Sequence, residues 1–173
     1  IGCYDNAHDN RIGGPALEDR NVISGHPYCG VYIGPDTAAM TITGNYIGTD
    51  ASGSFAISND YGVILDSTSG NTIGGVGAGE RNVISGNGVM GIAAHLSTGT
   101  TIAGNLIGTD ATGTSQVGNG YGIFLTGPGS SSHSNLIERN VNAGISVETN
   151  SVVARTASPW AICAWARTCR ACG

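Results

Sequence analysis

Long segments of this sequence occur twice. Residues 41–50 are TITGNYIGTD and residues 101–110 are TIAGNLIGTD, while DRNVISG at 19–25 returns as ERNVISG at 80–86. The paired segments are 60 and 61 residues apart. A fixed period of this kind indicates stacked structural units rather than one core built from unrelated segments. The chain is therefore predicted to be a repeat structure in which each unit contacts mainly its neighbours.

A shorter repeat lies inside the longer one. Glycine followed by alternating apolar residues occurs at GVYI, GVIL, GIAA, GIFL and GISV, which begin at residues 30, 62, 91, 122 and 144. Each unit continues with a second segment centred on Ile42, Ile73, Ile102 or Leu136. A third segment follows, centred on Ile23, Ile47, Ile84 or Ile107. Segments this short, with alternating apolar residues, are typical of β-strands. The sequence predicts about five coils of three parallel strands.

Asparagine precedes the third strand of each coil. In TITGNYI and TIAGNLI only Gly-Asn separates two strands, and asparagine tolerates the left-handed backbone conformation that such a corner requires. Coils stacked about 4.8 Å apart would bring these side chains within hydrogen-bonding distance of one another. The predicted ladder consists of Asn21, Asn45, Asn82, Asn105 and Asn140.

These repeats, short strands and aligned asparagines resemble the right-handed parallel β-helix of the pectate-lyase-like superfamily, over roughly residues 9–150. The resemblance implies an all-β solenoid, and most enzymes with this fold act on extended polysaccharides lying along an outer groove. It transfers no catalytic residue, because the chain lacks the Gly-His-Gly and Arg-Ile-Lys motifs of polygalacturonase-like enzymes and the Trp-x-Asp-His motif of pectate lyases.

Composition limits the partners. The net charge is −5 and there is no lysine, which argues against a nucleic-acid partner. The longest apolar runs are far shorter than 18 residues, so no membrane partner is expected. The acidic balance favours a neutral polysaccharide over pectate unless calcium bridges the two. Together with the resemblance, this predicts a secreted or cell-surface protein.

Alternation along the first strands predicts two outward columns of side chains. One column is Tyr32, Ile64, Ala93, Phe124 and Ser146. The other is Gly34, Asp66, His95, Thr126 and Glu148. Asp66 and His95 fall on adjacent coils, about 5 Å apart, and a histidine beside a carboxylate is suited to acid–base chemistry.

Carboxylates that hydrolyse glycosides together lie about 5 to 9.5 Å apart. Glu148 is three coils from Asp66, so Asp36 and Asp60 are better partners for it. The catalytic candidates are thus Asp66, His95, Asp36 and Asp60. The substrate-binding candidates are Tyr32, Phe124, Thr126 and Glu148, of which the aromatic pair would stack on sugar rings.

The two GTD loops allow a metal site or a turn. Asp50 and Asp110 are weak calcium candidates, but they lie two coils apart, about 10 Å, too far to share one ion. Asp followed three residues later by Gly is a turn signature, and a turn is the favoured interpretation, with the loops forming a wall beside the first-strand face. No other cofactor is expected, and GGVGAG at 74–79 does not predict a phosphate loop because no helix follows.

The repeat pattern ends near residue 153. Residues 1–153 are predicted to form the solenoid, while 154–173 contain both tryptophans and three of the five cysteines and suggest a frameshifted tail. Cys3 and Cys29 could pair. No cap is recognisable at either end, which favours a fragment of a longer solenoid or an end-to-end homo-oligomer.

Two functions remain from the sequence. The first is a glycoside hydrolase or polysaccharide lyase that binds an extended glycan along the first-strand face. The alternative is a non-catalytic secreted or surface module that binds glycan or forms an adhesin-like stalk.

Overall fold

A computed structural model describes residues 1–128, 130–133, 135–148 and 152–153. Its strands, numbered along the chain, form three parallel sheets. The first sheet contains β1 (Gly2–Cys3), β4 (Cys29–Ile33), β7 (Tyr61–Asp66), β10 (Met90–His95), β13 (Tyr121–Thr126) and β16 (Ala143–Glu148). The second contains β2 (Arg11–Gly13), β5 (Thr41–Thr43), β8 (Thr72–Gly74), β11 (Thr101–Ala103), β14 (Ser131–His133) and β17 (Val152–Val153). The third contains β3 (Val22–Ile23), β6 (Tyr46–Ile47), β9 (Val83–Ile84), β12 (Leu106–Ile107) and β15 (Leu136–Ile137).

The chain visits the three sheets in turn, so the predicted parallel β-helix is confirmed. The only helical element of the described chain is a 3₁₀ turn at Leu17–Asp19. The solenoid makes about four turns, measured by the four intervals between the five strands of the third sheet, and not the five expected. The predicted tail, 154–173, lies outside the described residues. Within the described ranges, no helix has the length and hydrophobicity of a membrane span.

The core is a set of stacked apolar columns. In the first sheet, Val31, Val63, Ile92, Ile123 and Ile145 pair in register, as their position after the glycine predicts. Isoleucines form the corresponding columns of the other two sheets, and most of these side chains are completely buried. Each contributes about 1.5–3 kcal/mol of transfer free energy. The parallel register therefore fixes which residues share a column on the outside as well.

An asparagine ladder is present at the corner between the second and third sheets, with one change of membership. The Nδ2 of Asn82 donates to Asn105 Oδ1 (2.9 Å), and Asn82 Oδ1 accepts from Asn45 Nδ2 (3.1 Å). The last member is Asn135, which accepts from Asn105 at 3.0 Å, and not the predicted Asn140. Leu136 follows Asn135 in β15, so Leu136 belongs to the third sheet and not to the second as expected.

A second ladder, which the sequence did not predict, lies at the corner between the third and first sheets. Asn59 donates to Asn87 (3.0 Å), Asn87 to Asn119 (2.8 Å), and Asn119 to Asn140 (2.9 Å) through Nδ2 and Oδ1. The backbone N–H of His26 donates to Asn59 Oδ1 at the first position. Asn140 therefore belongs to the corner between the third and first sheets, and not to the corner between the second and third sheets that was predicted for it.

Two kinds of long loop alternate from coil to coil. Loops of the kind at 13–20 and 74–81 leave the second sheet, and loops of the kind at 48–59 and 108–119 leave the third. Loops of one kind are two coils apart and touch: Ala111 N donates to Gly53 O at 2.9 Å. Each loop thus fills two coil heights, so the same insertion fits only at every second coil. This explains why the sequence period is 60 residues instead of 30.

Candidate functional site

Asp66 and His95 end two neighbouring strands of the first sheet. Asp66 is the last residue of β7 and His95 the last residue of β10, and the two are register partners. Tyr32 lies on β4, one coil before Asp66, and pairs with Ile64. The structure thus places three of the sequence-selected side chains on three successive coils of one sheet. Their adjacency follows from the parallel register, because each coil contributes one residue to each column.

The four side chains Tyr32, Asp66, Ser67 and His95 form a connected group, here called the Asp66 cluster. Tyr32 Oη donates to Asp66 Oδ2 (3.3 Å), and Ser67 Oγ donates to Asp66 Oδ1 (3.1 Å). His95 Nδ1 lies 3.5 Å from Asp66 Oδ1, an ion pair when the imidazole is protonated. The side chains of His95 and Asp66 are 57% and 37% exposed. A carboxylate, an imidazole and a phenol therefore meet where a solute can reach them.

Tyr32 is held in its protonated form. Partial burial raises the pKa of its phenol, and the charge of Asp66 and the hydrogen bond to it raise the pKa further. The ring of Tyr4 stacks on that of Tyr32 with centroids 5.4 Å apart. Tyr32 is consequently a fixed hydrogen-bond donor to Asp66. Tyr4 and Ser67 were not found from the sequence, because Tyr4 precedes the first recognisable repeat and Ser67 follows the strand.

Aromatic and aliphatic side chains surround the Asp66 cluster on the same sheet. Phe124 is half-buried and pairs with Ala93, and Tyr121 begins the same strand with its ring exposed. Ile64 and Ala93 are only 8% and 9% exposed, although they belong to the outward column. Ile64 and Ala93 thus form an apolar floor between the half-exposed rings of Tyr32 and Phe124. Apolar floors with flanking aromatic rings suit the faces of sugar rings.

Asp36 and Asp60 lie apart from this group in their interactions. Asp36 is exposed in the turn after β4, with φ of 64°, and Asp60 is exposed immediately before β7. In the described part of the chain, no hydrogen bond or ion pair joins either carboxylate to the Asp66 cluster. The cluster therefore contains one carboxylate.

The backbones of Thr126 on β13 and Glu148 on β16 are register partners. The Thr126 side chain is 6% exposed, and its Oγ1 accepts from Leu96 N at 2.8 Å. This hydroxyl satisfies a backbone donor on the neighbouring coil. Thr126 thus supports the turn after His95 from below the surface.

Asp50 and Asp110 use their carboxylates to close their own loops. Backbone donation from Phe55 N lowers the pKa of Asp50 to about 2, together with donation from Ser52 Oγ and Ser54 N. Asp110 has the same environment: Ser115 N contributes most, then Thr112 and Thr114, and its pKa is also about 2. Both oxyanions are organised around turn donors, as the turn interpretation requires.

The GTD loops cover the third sheet and do not form a wall beside the first. Gly113 lies against Leu106 and Leu136, and Gly53 lies against Tyr46, all on outward positions of the third sheet. Within the described ranges, no group of three or more His, Cys, Asp or Glu side chains is arranged to hold a metal ion. Cys3 and Cys29 are free thiols, beside Ile33 and Tyr61 respectively in the first sheet, so they do not pair.

Comparison with protein families matches residues 2–155 to the NosD family, which is described as "Periplasmic copper-binding protein (NosD)". Comparison with curated proteins and with solved structures finds no match. The matched region covers nearly all of the solenoid, including the complete Asp66 cluster.

Proposed function

The chain belongs to the NosD family of periplasmic copper-binding proteins. We propose that this parallel β-helix acts on a polysaccharide outside the cytoplasm, and the proposal rests on the exposed face of the first sheet. The glycan lies across the coils on the first-sheet face, over Tyr32, Ile64 and Phe124. The observation that carries the proposal is the Asp66 cluster, which joins a carboxylate, an imidazole and a phenol on that face. The periplasmic description of the family fits the location expected from the sequence.

The copper named in the family description has no matching donor set in the described residues. Cys3 and Cys29 lie beside different partners in the first sheet, His95 is engaged with Asp66, and the described His, Cys, Asp and Glu side chains form no group of three. Copper sites in proteins use imidazole and sulfur ligands gathered around one centre. No step of the proposed reaction is therefore routed through copper.

In the proposed reaction His95 donates a proton to the leaving glycosidic oxygen. Asp66, 3.5 Å from His95, stabilises the imidazolium, and Tyr32 orients Asp66 through its hydrogen bond. A glycosidase needs an acid and a base on the two sides of the scissile bond. Because Asp66 and His95 contact each other on one side, the base that takes the proton of the attacking water is a carboxylate outside the Asp66 cluster, and Asp36 and Asp60 are the candidates. Elimination from a uronate would require the same base and yields an unsaturated product, which separates the two reactions.

The test is a panel of neutral and acidic polysaccharides, with products measured by reducing-end assay and by ultraviolet absorbance of unsaturated ends. On the cleaved polymer, Asp66→Asn and His95→Gln should each lower kcat by about 100-fold or more, and Tyr32→Phe by about tenfold. Asp36→Asn and Asp60→Asn are the matched carboxylate variants outside the cluster, and loss of activity in one of them identifies the base. Full activity in both would rule out this acid–base pair, and full activity in Asp66→Asn would overturn the proposed site.

A binding module without catalysis is the second candidate, favoured by the single carboxylate in the Asp66 cluster. It predicts retention of a polysaccharide on affinity electrophoresis without products. Replacing Tyr32 and Phe124 by alanine should then abolish retention, because stacking and apolar contact would supply the affinity.

A further inference from the structure

A cavity lies at the glycine-rich loop 74–81, on the corner between the second and third sheets. Its volume is about 610 Å³, within the range of small-molecule sites. The lining consists of Gly75, Val76, Gly77, Ala78, Gly79, Arg81 and Gly104. The sequence did not predict a phosphate loop here, and the structure has no helix after the glycines. The charged group of this cavity is a guanidinium instead.

Arg81 is held in place at the wall of this cavity. Its Nε donates to Gly104 O at 2.9 Å, which anchors the guanidinium on the next coil. Among the described residues, the two terminal nitrogens of Arg81 have no hydrogen-bond partner or ion pair. The carboxylate of the neighbouring Glu80 lies against Gly75 and Gly77 and accepts a hydrogen bond from Gly77 N at 2.8 Å. Arg81 is the one charged residue of the lining, and Glu80 lies at its edge with one oxygen bound to the loop.

The repeat supplies a comparison within the same molecule. Arg20 occupies the equivalent position two coils earlier, and its Nε donates to Gly44 O at 3.2 Å. There the guanidinium lies over the ring of Tyr46, 4.1 Å from the centroid. The residue that corresponds to Tyr46 beside Arg81 is Leu106. Arg20 is thus engaged with an aromatic ring, whereas Arg81 keeps its terminal donors for another partner.

We infer that the cavity at Arg81, here called the Arg81 pocket, binds a small solute through an oxyanion group such as the carboxylate of an acidic sugar. A guanidinium fixed at Nε presents its two terminal nitrogens to two oxygens of a carboxylate or phosphate. The side chains of Val76 and Ala78, which line the same cavity, contact the remainder of the solute. The pocket lies on a different corner of the solenoid from the Asp66 cluster, so its occupancy does not depend on the proposed polysaccharide activity.

Titration of the full chain with sodium glucuronate, inorganic phosphate and glucose tests this inference. Binding is followed by calorimetry and by backbone amide shifts at 76–79 in low salt. At least one of the two anions should bind saturably, and glucose should not. Arg81→Gln should weaken that binding about tenfold or more, while Arg20→Gln leaves it unchanged. Tighter binding of glucuronate identifies an acidic sugar as the source of the oxyanion, and tighter binding of phosphate identifies a phosphate ester.

A second variant separates loss of the charge from loss of the fold. Ala78 is exposed, so Ala78→Phe fills the pocket without touching the core and should also abolish anion binding at an unchanged melting temperature. The inference is overturned if neither anion binds at millimolar concentration. It is equally overturned if Arg20→Gln and Arg81→Gln lose affinity alike, since the anion would then be attracted by general charge.

Discussion

The carboxylates of Asp50 and Asp110 should make the free energy of unfolding depend on pH in the acidic range. Each has a pKa of about 2 in the folded chain, against about 3.9 for an unfolded aspartate. A lowered folded pKa gives stability that is complete above the unfolded value and is lost as pH falls through the folded one. The melting temperature should therefore fall between about pH 4 and pH 2. In the double variant Asp50→Asn, Asp110→Asn that fall should be smaller, as measured by circular dichroism melts at each pH.

Asp60→Asn is the matched control for this experiment, because Asp60 is exposed and its side chain makes no hydrogen bond within the described residues. Its pH profile should follow the wild type. Identical pH profiles for the wild type and the double variant would show that the loop donors do not distinguish the charged from the neutral carboxyl group.

At the scale of single side chains, the sequence predicts which residues are neighbours where the register decides it, and it does not report hydrogen bonds that a local backbone donor decides. Asp66 and His95 were placed on adjacent coils because a parallel sheet adds one residue per coil to each column. Thr126 belongs to the same column, yet its hydroxyl turns to Leu96 N. This hydrogen bond forms because the turn after β10 leaves the N–H of Leu96 without a backbone acceptor. The spacing of residues in the sequence does not show which N–H groups a turn leaves in this state.

The first asparagine ladder should contribute strongly to stability only where it is buried. Asn82 is fully buried and also donates to Ile42 O at 2.8 Å. Asn82→Ala leaves several of these groups without partners and should cost about 3 kcal/mol. Asn21, at the exposed end of the same ladder, donates to Asn45 Oδ1, and Asn21→Ala should cost about 1 kcal/mol or less. Urea unfolding of the two variants measures both values.

Equal losses in these two variants would contradict the role given to burial. A control is available at Asn142, which is exposed and lies outside both ladders. Asn142→Ala should leave the unfolding midpoint within error of the wild type, as exposed substitutions usually do.

At the scale of strands and corners, the sequence predicted the elements better than the corners between them. Glycine followed by alternating apolar residues identified each of the five- and six-residue strands of the first sheet. Each of these strands begins one residue before the glycine. The second ladder was missed because its asparagines precede that glycine by either three or four residues, as at Asn59 and Asn87. Variable spacing hides a column that is regular in space. Asn140 was assigned to the wrong ladder because Asn135 and Asn140 both precede an apolar residue, so the local sequence does not distinguish them.

For the whole molecule, the stacking of coils and the alternation of loops are two parts of one arrangement. Loops of one kind contact each other across an intervening coil, as Ala111 and Gly53 do, and Gly79 approaches Pro15 closely in the other kind. One kind of loop follows the second sheet and the other follows the third sheet, whereas the Asp66 cluster stays exposed on the first sheet. The sequence showed the 60-residue period, but the thickness of a folded loop, which sets that period, is a property of the packed structure.

A stack of coils should also be least stable where a coil has only one neighbour, and the repeat provides matched amides to measure this. Thr41 N donates to Asn10 O (2.9 Å) on the first coil, and its equivalent Thr101 N donates to Asn71 O (2.8 Å) two coils further along. The same holds for Tyr46 N with Asn21 O and for Leu106 N with Asn82 O, both at 2.9 Å.

The hydrogen bonds are alike, so any difference in hydrogen exchange reports the opening of the coil that holds the acceptor. Because the first coil has no partner below it in the described chain, Thr41 and Tyr46 should exchange about 100-fold faster than Thr101 and Leu106. Equal rates within each pair would mean that the solenoid opens as one cooperative unit, and stability would then not be a sum over neighbouring coils.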